Sequence, residues 1–117
     1  MKTWTQKIAI DLCVAIEAIC VPFGCHVALT GGTLYKEEPR KDCDILFYRI
    51  RQTKEIDVPG LLSALAAIGI IHTKDHGWVQ KAVWDGRPID LFFPEHKDGE
   101  YQRENDEAIP ELNEVAA

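Results

Sequence analysis

The segment that most constrains the fold is a strand-like run that begins with two acids. Asp42 to Ile50 has the sequence DCDILFYRI, whose apolar, β-branched and aromatic residues predict a strand. Because successive side chains of a strand point to opposite faces, Asp42 and Asp44 are expected on one face, about 6.6 Å apart along the backbone. Cys43 and Ile45 are expected on the other face. The segment therefore predicts a strand with one apolar face and one face that carries two carboxylates.

Apolar residues with helical spacing precede and follow this strand. The first stripe predicts a helix that Thr3 caps and that ends before Pro22. A second helix is predicted to begin after Asp57, its N-cap, and to end at Gly69. The apolar residues of the first stripe are Trp4, Ile8, Leu12, Ala15, Ile16 and Ile19.

Four further segments have the composition of short strands. Asp85 and Gly86 separate the last two of them and predict a hairpin turn. Residues 33–38 predict one or two helical turns that Pro39 ends. The four segments are residues 25–30, 70–73, 78–84 and 88–93. This order of elements predicts an α+β fold, in which a mixed β-sheet is packed by helices.

The net charge of −6 is concentrated at the C-terminal end of the 117-residue chain. Residues 94–117 hold eight acids and two bases, whereas residues 1–93 are formally neutral. We therefore predict one folded domain over residues 1–93 and an acidic tail over residues 94–117, flexible or with a helix near residues 109–115. The acidity argues against a nucleic-acid acceptor, because binding of phosphate backbones needs clustered Lys and Arg.

The four cysteines favour a reduced compartment. Cys13, Cys20, Cys25 and Cys43 lie in apolar runs and form no C-x-x-C pair, so neither a disulfide scaffold nor a common zinc site is indicated. The sequence also lacks an apolar stretch near the ~20 residues that span a bilayer. These features predict a cytoplasmic protein without a membrane partner.

Two glycines follow the first predicted strand, in the sequence Leu29-Thr30-Gly31-Gly32-Thr33. Glycines between a strand and the start of a helix let backbone N–H groups approach a phosphate closely, and the Thr33 hydroxyl can add a donor. A tight turn without a ligand remains the alternative for such a pair.

A third acid, Asp90, lies in the apolar segment Arg87 to Phe93. A buried charge there needs a partner. Mg²⁺ accepts carboxylate and phosphate oxygens, so a metal shared with Asp42 and Asp44 is one solution. A salt bridge from Asp90 to Arg87 or Lys81 is the other.

The three features together resemble a known family. Gly31-Gly32-Thr33, the Asp-x-Asp pair that starts nine residues after Thr33, and the later single acid Asp90 resemble the DNA polymerase β-like nucleotidyltransferase superfamily. The sequences LTGGT and KDCDILF are most similar to those of its small stand-alone members, the minimal nucleotidyltransferases and the antitoxin- or abortive-infection-associated proteins. The resemblance covers roughly residues 25–93.

The resemblance implies a reaction and a role for each matching residue. A nucleoside monophosphate would pass from an NTP to an acceptor hydroxyl, with release of pyrophosphate. Gly31, Gly32 and Thr33 would hold the triphosphate. Of the catalytic residues, Asp42 and Asp44 would bind two Mg²⁺ ions, or Mn²⁺ in their place, and Asp90 would complete one metal site and help to activate the acceptor hydroxyl.

Charged residues between the two motifs are further candidates. Lys36, Arg40 and Lys41 can neutralise phosphate charge, although such residues often only solvate a loop. The chain lacks the additional helical domain of larger family members, which implies that a protein partner or another subunit supplies part of the function, or that catalysis is lost. A non-catalytic binding module, such as an antitoxin or regulatory partner, is therefore the alternative.

Overall fold

The computed structural model describes residues 2–95 of the chain. The helix predicted near residues 109–115, and the acidic tail from residue 96 onward, lie outside the described residues. Among residues 2–95, no helix is both long enough and apolar enough to cross a membrane. The elements are α1 (Gln6–Cys20), a 3₁₀ turn (Val21–Phe23), β1 (Cys25–Thr30), α2 (Gly31–Tyr35), β2 (Cys43–Arg49), α3 (Val58–Ala67), β3 (Ile70–His76), β4 (Val79–Trp84) and β5 (Arg87–Phe92).

The five strands form one mixed sheet in the order β1-β2-β5-β4-β3. The central pair, β2 and β5, is parallel, and the other neighbouring strands are antiparallel. This confirms the predicted α+β class with a mixed sheet. In the parallel pair, the strand with Asp44 of the Asp-x-Asp motif lies directly beside the strand with the third acid, Asp90.

Helices α1 and α3 pack against one face of the sheet. Along β2 the side chains alternate: Cys43, Ile45 and Phe47 are buried, whereas Asp44 and Leu46 are only partly buried. Burial of the first set removes apolar surface from water, at roughly 25 cal/mol per Å². The sheet therefore has a core face against the helices and an opposite face on which Asp44 lies. The buried residues that α1 and α3 contribute to the core are Ala9, Leu12, Ile16, Cys20, Val58, Leu61 and Leu65.

Several predicted boundaries are confirmed and one assignment is wrong. The side chain of Asp57 caps α3 by accepting a hydrogen bond from the Gly60 N–H, as expected. The first helix, however, is capped by Thr5 instead of Thr3, because the Thr5 hydroxyl accepts from the Ile8 N–H. Trp4 therefore precedes the helix on which its spacing had placed it.

Two strands also differ from prediction at their ends. β3 extends to His76, three residues beyond the predicted end, through a register irregularity between His72 and Lys74. β2 begins at Cys43, so Asp42 lies just outside the strand that was expected to include it. Asp42 and Asp44 are consequently held by different backbone environments: a loop for the first and a paired strand for the second.

Candidate functional site

Strand register aligns one residue from each of four strands across the sheet. Asp44 of β2 is the partner of Thr30 in β1 on one side and of Asp90 in β5 on the other. Asp90 is in turn the partner of Lys81 in β4. Directly paired residues share a face of the sheet, so these side chains form one row. The register thus brings the second acid of the Asp-x-Asp motif beside the third acid.

The two glycines have close side-chain neighbours. Gly31 has φ +72°, and a Cβ atom there would overlap Oδ2 of Asp44 and lie 3.2 Å from its Cγ. A Cβ atom at Gly32 would lie 2.6 Å from Cζ of Arg40. The absence of side chains at Gly31 and Gly32 was expected to leave room for a ligand. It also leaves room for the Asp44 carboxylate and the Arg40 guanidinium. Because α2 has only five residues, charged side chains matter more at this turn than a helix dipole.

Thr33 and Asp42 are linked behind the turn. Thr33 is buried, and its hydroxyl donates a hydrogen bond of 2.9 Å to the backbone carbonyl of Asp42. This bond fixes the backbone just before β2. The exposed side chain of Asp42 therefore takes no part in holding the loop. Thr33 was expected to donate to a phosphate, but in this arrangement it orients the loop that carries Asp42.

A cleft of about 520 Å³ opens where the acids and the turn meet. It contains five of the seven residues predicted to form the site, whereas Gly31 lies against Asp44 and Thr33 is buried. Arg40 contributes a second positive charge beside Lys41. The cleft therefore combines three acids with two bases, which suits an anionic ligand held together with cations. The lining residues are Gly32, Pro39, Arg40, Lys41, Asp42, Asp44 and Asp90.

The electrostatic environment disfavours the ionised form of Asp44. Burial raises the pKa of its carboxyl above the ordinary value, and the charges of Asp90 and Asp42 raise it further. Lys81 and Arg40 act in the opposite direction without cancelling the effect. Negative charge is therefore under-compensated at Asp44, which is the condition that a bound cation relieves.

Asp90 already has a cationic partner. The Lys81 ammonium donates a hydrogen bond of 2.7 Å to Oδ1 of Asp90. This ion pair is one of the two arrangements that the sequence allows for the charge on Asp90. As the side chains are arranged, residues 2–95 contain no group of three His, Cys, Asp or Glu that could hold a metal ion. The donor chemistry still fits Mg²⁺, because Asp42, Asp44 and Asp90 all line one cleft and carboxylate oxygens are ligands of Mg²⁺. Lys81 engages one of these oxygens, Oδ1 of Asp90.

Trp4 supports the cleft, and the sequence did not reveal this role. Its backbone N–H and carbonyl exchange hydrogen bonds of 2.7 and 2.8 Å with the carbonyl and N–H of Arg40. Its indole Nε1–H donates to the carbonyl of Pro88, two residues before Asp90, at 2.7 Å. The buried ring also stacks on Trp84. Trp4 therefore joins the loop that contains Arg40 to β5. The helical spacing of Trp4 with the apolar residues that follow it predicted a position on the first helix instead. The sequence signal against that position is Thr5, a good N-cap directly after Trp4.

Comparison with known proteins adds no relative. No model of a protein family matches the chain, and no curated protein matches it. The family resemblance of the Gly-Gly-Thr and Asp-x-Asp motifs therefore stays a prediction from the residues. The function has to be inferred from the cleft itself.

Proposed function

We propose that the chain is a Mg²⁺-dependent nucleotidyltransferase that transfers a nucleoside monophosphate from an NTP to an acceptor hydroxyl and releases pyrophosphate. The observation that carries the proposal is the pairing of Asp44 with Asp90 on adjacent parallel strands. Asp42 lies at the same cleft, two residues before Asp44. Three carboxylates beside a glycine turn and two bases are what a metal-bound triphosphate requires.

The bases and the glycine turn account for binding of the triphosphate. Arg40 and Lys41 line the cleft together with Gly32. A guanidinium can bind phosphate oxygens through two parallel hydrogen bonds, and an ammonium adds a point charge. Trp4 fixes the backbone of Arg40 through two hydrogen bonds, so the guanidinium extends from an anchored position. These residues hold the β- and γ-phosphates, which leave as pyrophosphate.

The acids account for the cation and for proton removal. Asp42, Asp44 and Asp90 would hold Mg²⁺, which supplies charge stabilisation for the attacking and leaving oxygens. In the transfer, the acceptor oxygen forms a bond to the α-phosphorus, and the bond from that phosphorus to the bridging oxygen of the β-phosphate breaks. Asp90 takes the proton of the acceptor hydroxyl. The fixed strand register keeps Asp44 and Asp90 in one orientation, so that positioning provides much of the rate enhancement.

The test is binding of Mg²⁺–NTP to the full chain, measured as a shift in melting temperature with each of the four NTPs. We expect at least one NTP to stabilise the wild type only when Mg²⁺ is present, and Asp44→Asn to abolish the shift. Asp11→Asn is the matched control, because Asp11 is an exposed acid on α1, paired with Lys7. Absence of any Mg²⁺-dependent shift in the wild type, with every NTP, would refute the proposal.

A second function is favoured by one contact. Because the Lys81 ammonium already neutralises Asp90, the fold can be stable with no metal bound at the acids. The chain would then act as a binding module without turnover, such as an antitoxin or a regulatory partner. This alternative predicts that Asp42→Ala and Asp90→Ala leave the cellular function intact, whereas a substitution on the surface that binds the partner abolishes it.

A further inference from the structure

Lys81 lies beside Asp90, one of the three acids of the cleft. Its ammonium is 2.7 Å from Oδ1 of Asp90, and its side chain is 45% exposed, against 21% for Asp90. The two residues are direct partners in the β4–β5 pairing, so the contact is set by backbone register. The ammonium is therefore held at the half-buried acid while remaining accessible from solvent.

The charges on either side of this pair strengthen it. Asp44 is the partner of Asp90 on β2, and Lys74 is the partner of Lys81 on β3. Asp44 and Asp90 are thus like charges on adjacent strands, and the Lys81 ammonium offsets their repulsion. The hydrogen bond to Asp90 raises the pKa of Lys81, and the negative charges of Asp90, Asp42 and Asp44 raise it further. Lys81 is therefore paired directly with Asp90 and is attracted at longer range by Asp42 and Asp44.

We propose that Lys81 is a built-in counter-ion that competes with the divalent cation for Asp90. In the free protein the ammonium holds Oδ1 of Asp90, and a metal that binds all three acids has to displace it. The inference rests on the proposed function, because it concerns the same metal site. Its consequence is that metal alone binds the wild-type protein weakly, since every binding event breaks the Lys81–Asp90 ion pair.

An ion pair with a purely structural role would behave differently. Its loss would lower the stability of the β4–β5 pairing and leave metal affinity unchanged. Metal affinity in the absence of nucleotide is therefore the property that separates competition from structural support. The conservative variant Lys81→Arg keeps the positive charge and should keep the competition, whereas Lys81→Met keeps the aliphatic stem and removes the charge.

The experiment is calorimetric titration of the full chain with Mn²⁺ at fixed pH and ionic strength, without nucleotide. We expect Lys81→Met to bind Mn²⁺ about three- to fivefold more tightly than the wild type, as for removal of one close, partly exposed ion pair. Lys81→Arg should bind like the wild type. Lys74→Met is the matched control for the change in net charge, because it removes the ammonium of the strand partner of Lys81. It should change the Mn²⁺ affinity by less than about twofold. Asp44→Asn reports Mn²⁺ bound elsewhere, including at the acids of residues 96–117.

Each outcome has a distinct meaning. Equal or weaker Mn²⁺ binding by Lys81→Met than by the wild type would overturn the competition while the metal site itself stood. Equal gains in Lys81→Met and Lys74→Met would also overturn it, since net charge alone would then explain the effect. If neither the wild type nor Lys81→Met binds Mn²⁺ beyond the level of Asp44→Asn, the competition is wrong, and the melting shift with Mg²⁺–NTP decides separately whether the proposed function stands. Melting curves of each variant establish that it is folded.

Discussion

Gly31 lies directly against the carboxylate of Asp44, so closely that a Cβ atom at residue 31 would overlap Oδ2. The turn after β1 and the acid on β2 are therefore one structural unit. Thr30, the residue before Gly31, is the strand partner of Asp44, so the turn that follows Thr30 begins beside the Asp44 side chain. The glycine of the motif is required by the protein's own carboxylate, whatever ligand binds beside it.

Gly31→Ala is expected to disturb both the fold and the acid. With φ +72° at Gly31, an alanine costs about 1–2 kcal/mol in backbone strain, and its Cβ also displaces Asp44. Gly69→Ala is the matched control, because Gly69 has φ +92° but its Cβ would meet only Trp84, at 3.6 Å. Urea unfolding should show a loss in both variants, the larger in Gly31→Ala. Only Gly31→Ala should also lose the Mg²⁺–NTP shift; retention of that shift would contradict the account.

Asp44→Asn is expected to stabilise the protein in metal-free buffer. Burial and the charges of Asp90 and Asp42 raise the pKa of the Asp44 carboxyl. A carboxyl whose pKa is raised on folding costs stability above that pKa, and the cost is relieved as the pH falls through it. At pH 7 with EDTA the variant should therefore melt above the wild type, and the difference should shrink in acid. A variant that melts below the wild type at pH 7 would contradict the electrostatics described.

Trp4→Phe is expected to destabilise the protein by about 2–4 kcal/mol. The substitution removes the hydrogen bond from the indole to the Pro88 carbonyl and leaves a cavity at a fully buried position. Urea unfolding measures the change, with Tyr35→Phe as the control because Tyr35 is 79% exposed. A cost below about 0.5 kcal/mol, the range of ordinary surface substitutions, would show that the Trp4 indole does not tie the N-terminal segment to β5.

Glu17 is expected to support the fold at neutral pH and to lose that role in acid. Burial alone would raise the pKa of Glu17, but hydrogen bonds from His26 and the Val27 N–H outweigh it, so the pKa lies below the ordinary 4.5. A carboxyl with a lowered pKa stabilises the fold above 4.5, and the contribution disappears as the pH falls through the folded-state pKa.

The measurement for Glu17 is the urea midpoint of the wild type and of Glu17→Gln between pH 3 and 7. The wild type should be the more stable protein above pH 4.5, and the two curves should converge below it. Asp11→Asn, an exposed acid on the same helix, should not reproduce this pH dependence. Parallel curves for wild type and Glu17→Gln would contradict the predicted role.

Local sequence signals predicted most of the elements. Asp57 as an N-cap and Gly69 after the helix bounded α3 correctly, and Asp85-Gly86 marked the β4–β5 hairpin. Asp85 has φ +48° and Gly86 φ +73°, the left-handed backbone that such a two-residue turn requires. These features depend on neighbours in sequence, which is why composition and spacing could predict them.

The pairing of the acids depends on contacts between distant residues. A shift of one residue in the register of β5 against β2 would turn Asp90 to the opposite face. Only the assembled sheet fixes Asp90 beside Asp44 and Lys81 beside Asp90. The sequence therefore did not decide between a metal ion and a salt bridge as the partner of Asp90. The pairing of β4 with β5 is what places Lys81 beside Asp90. Trp4 shows the same limit, since a helical spacing of apolar residues does not reveal a backbone bridge to residue 40.

The most direct test of the central claim is anomalous X-ray scattering from crystals of the full chain grown with Mn²⁺ and a non-hydrolysable NTP analogue. The account predicts an Mn²⁺ peak in contact with the carboxylates of Asp42, Asp44 and Asp90, and release of Asp90 from Lys81. The account would be contradicted if crystals grown with both Mn²⁺ and the NTP analogue showed no peak at these acids and an intact Lys81–Asp90 contact.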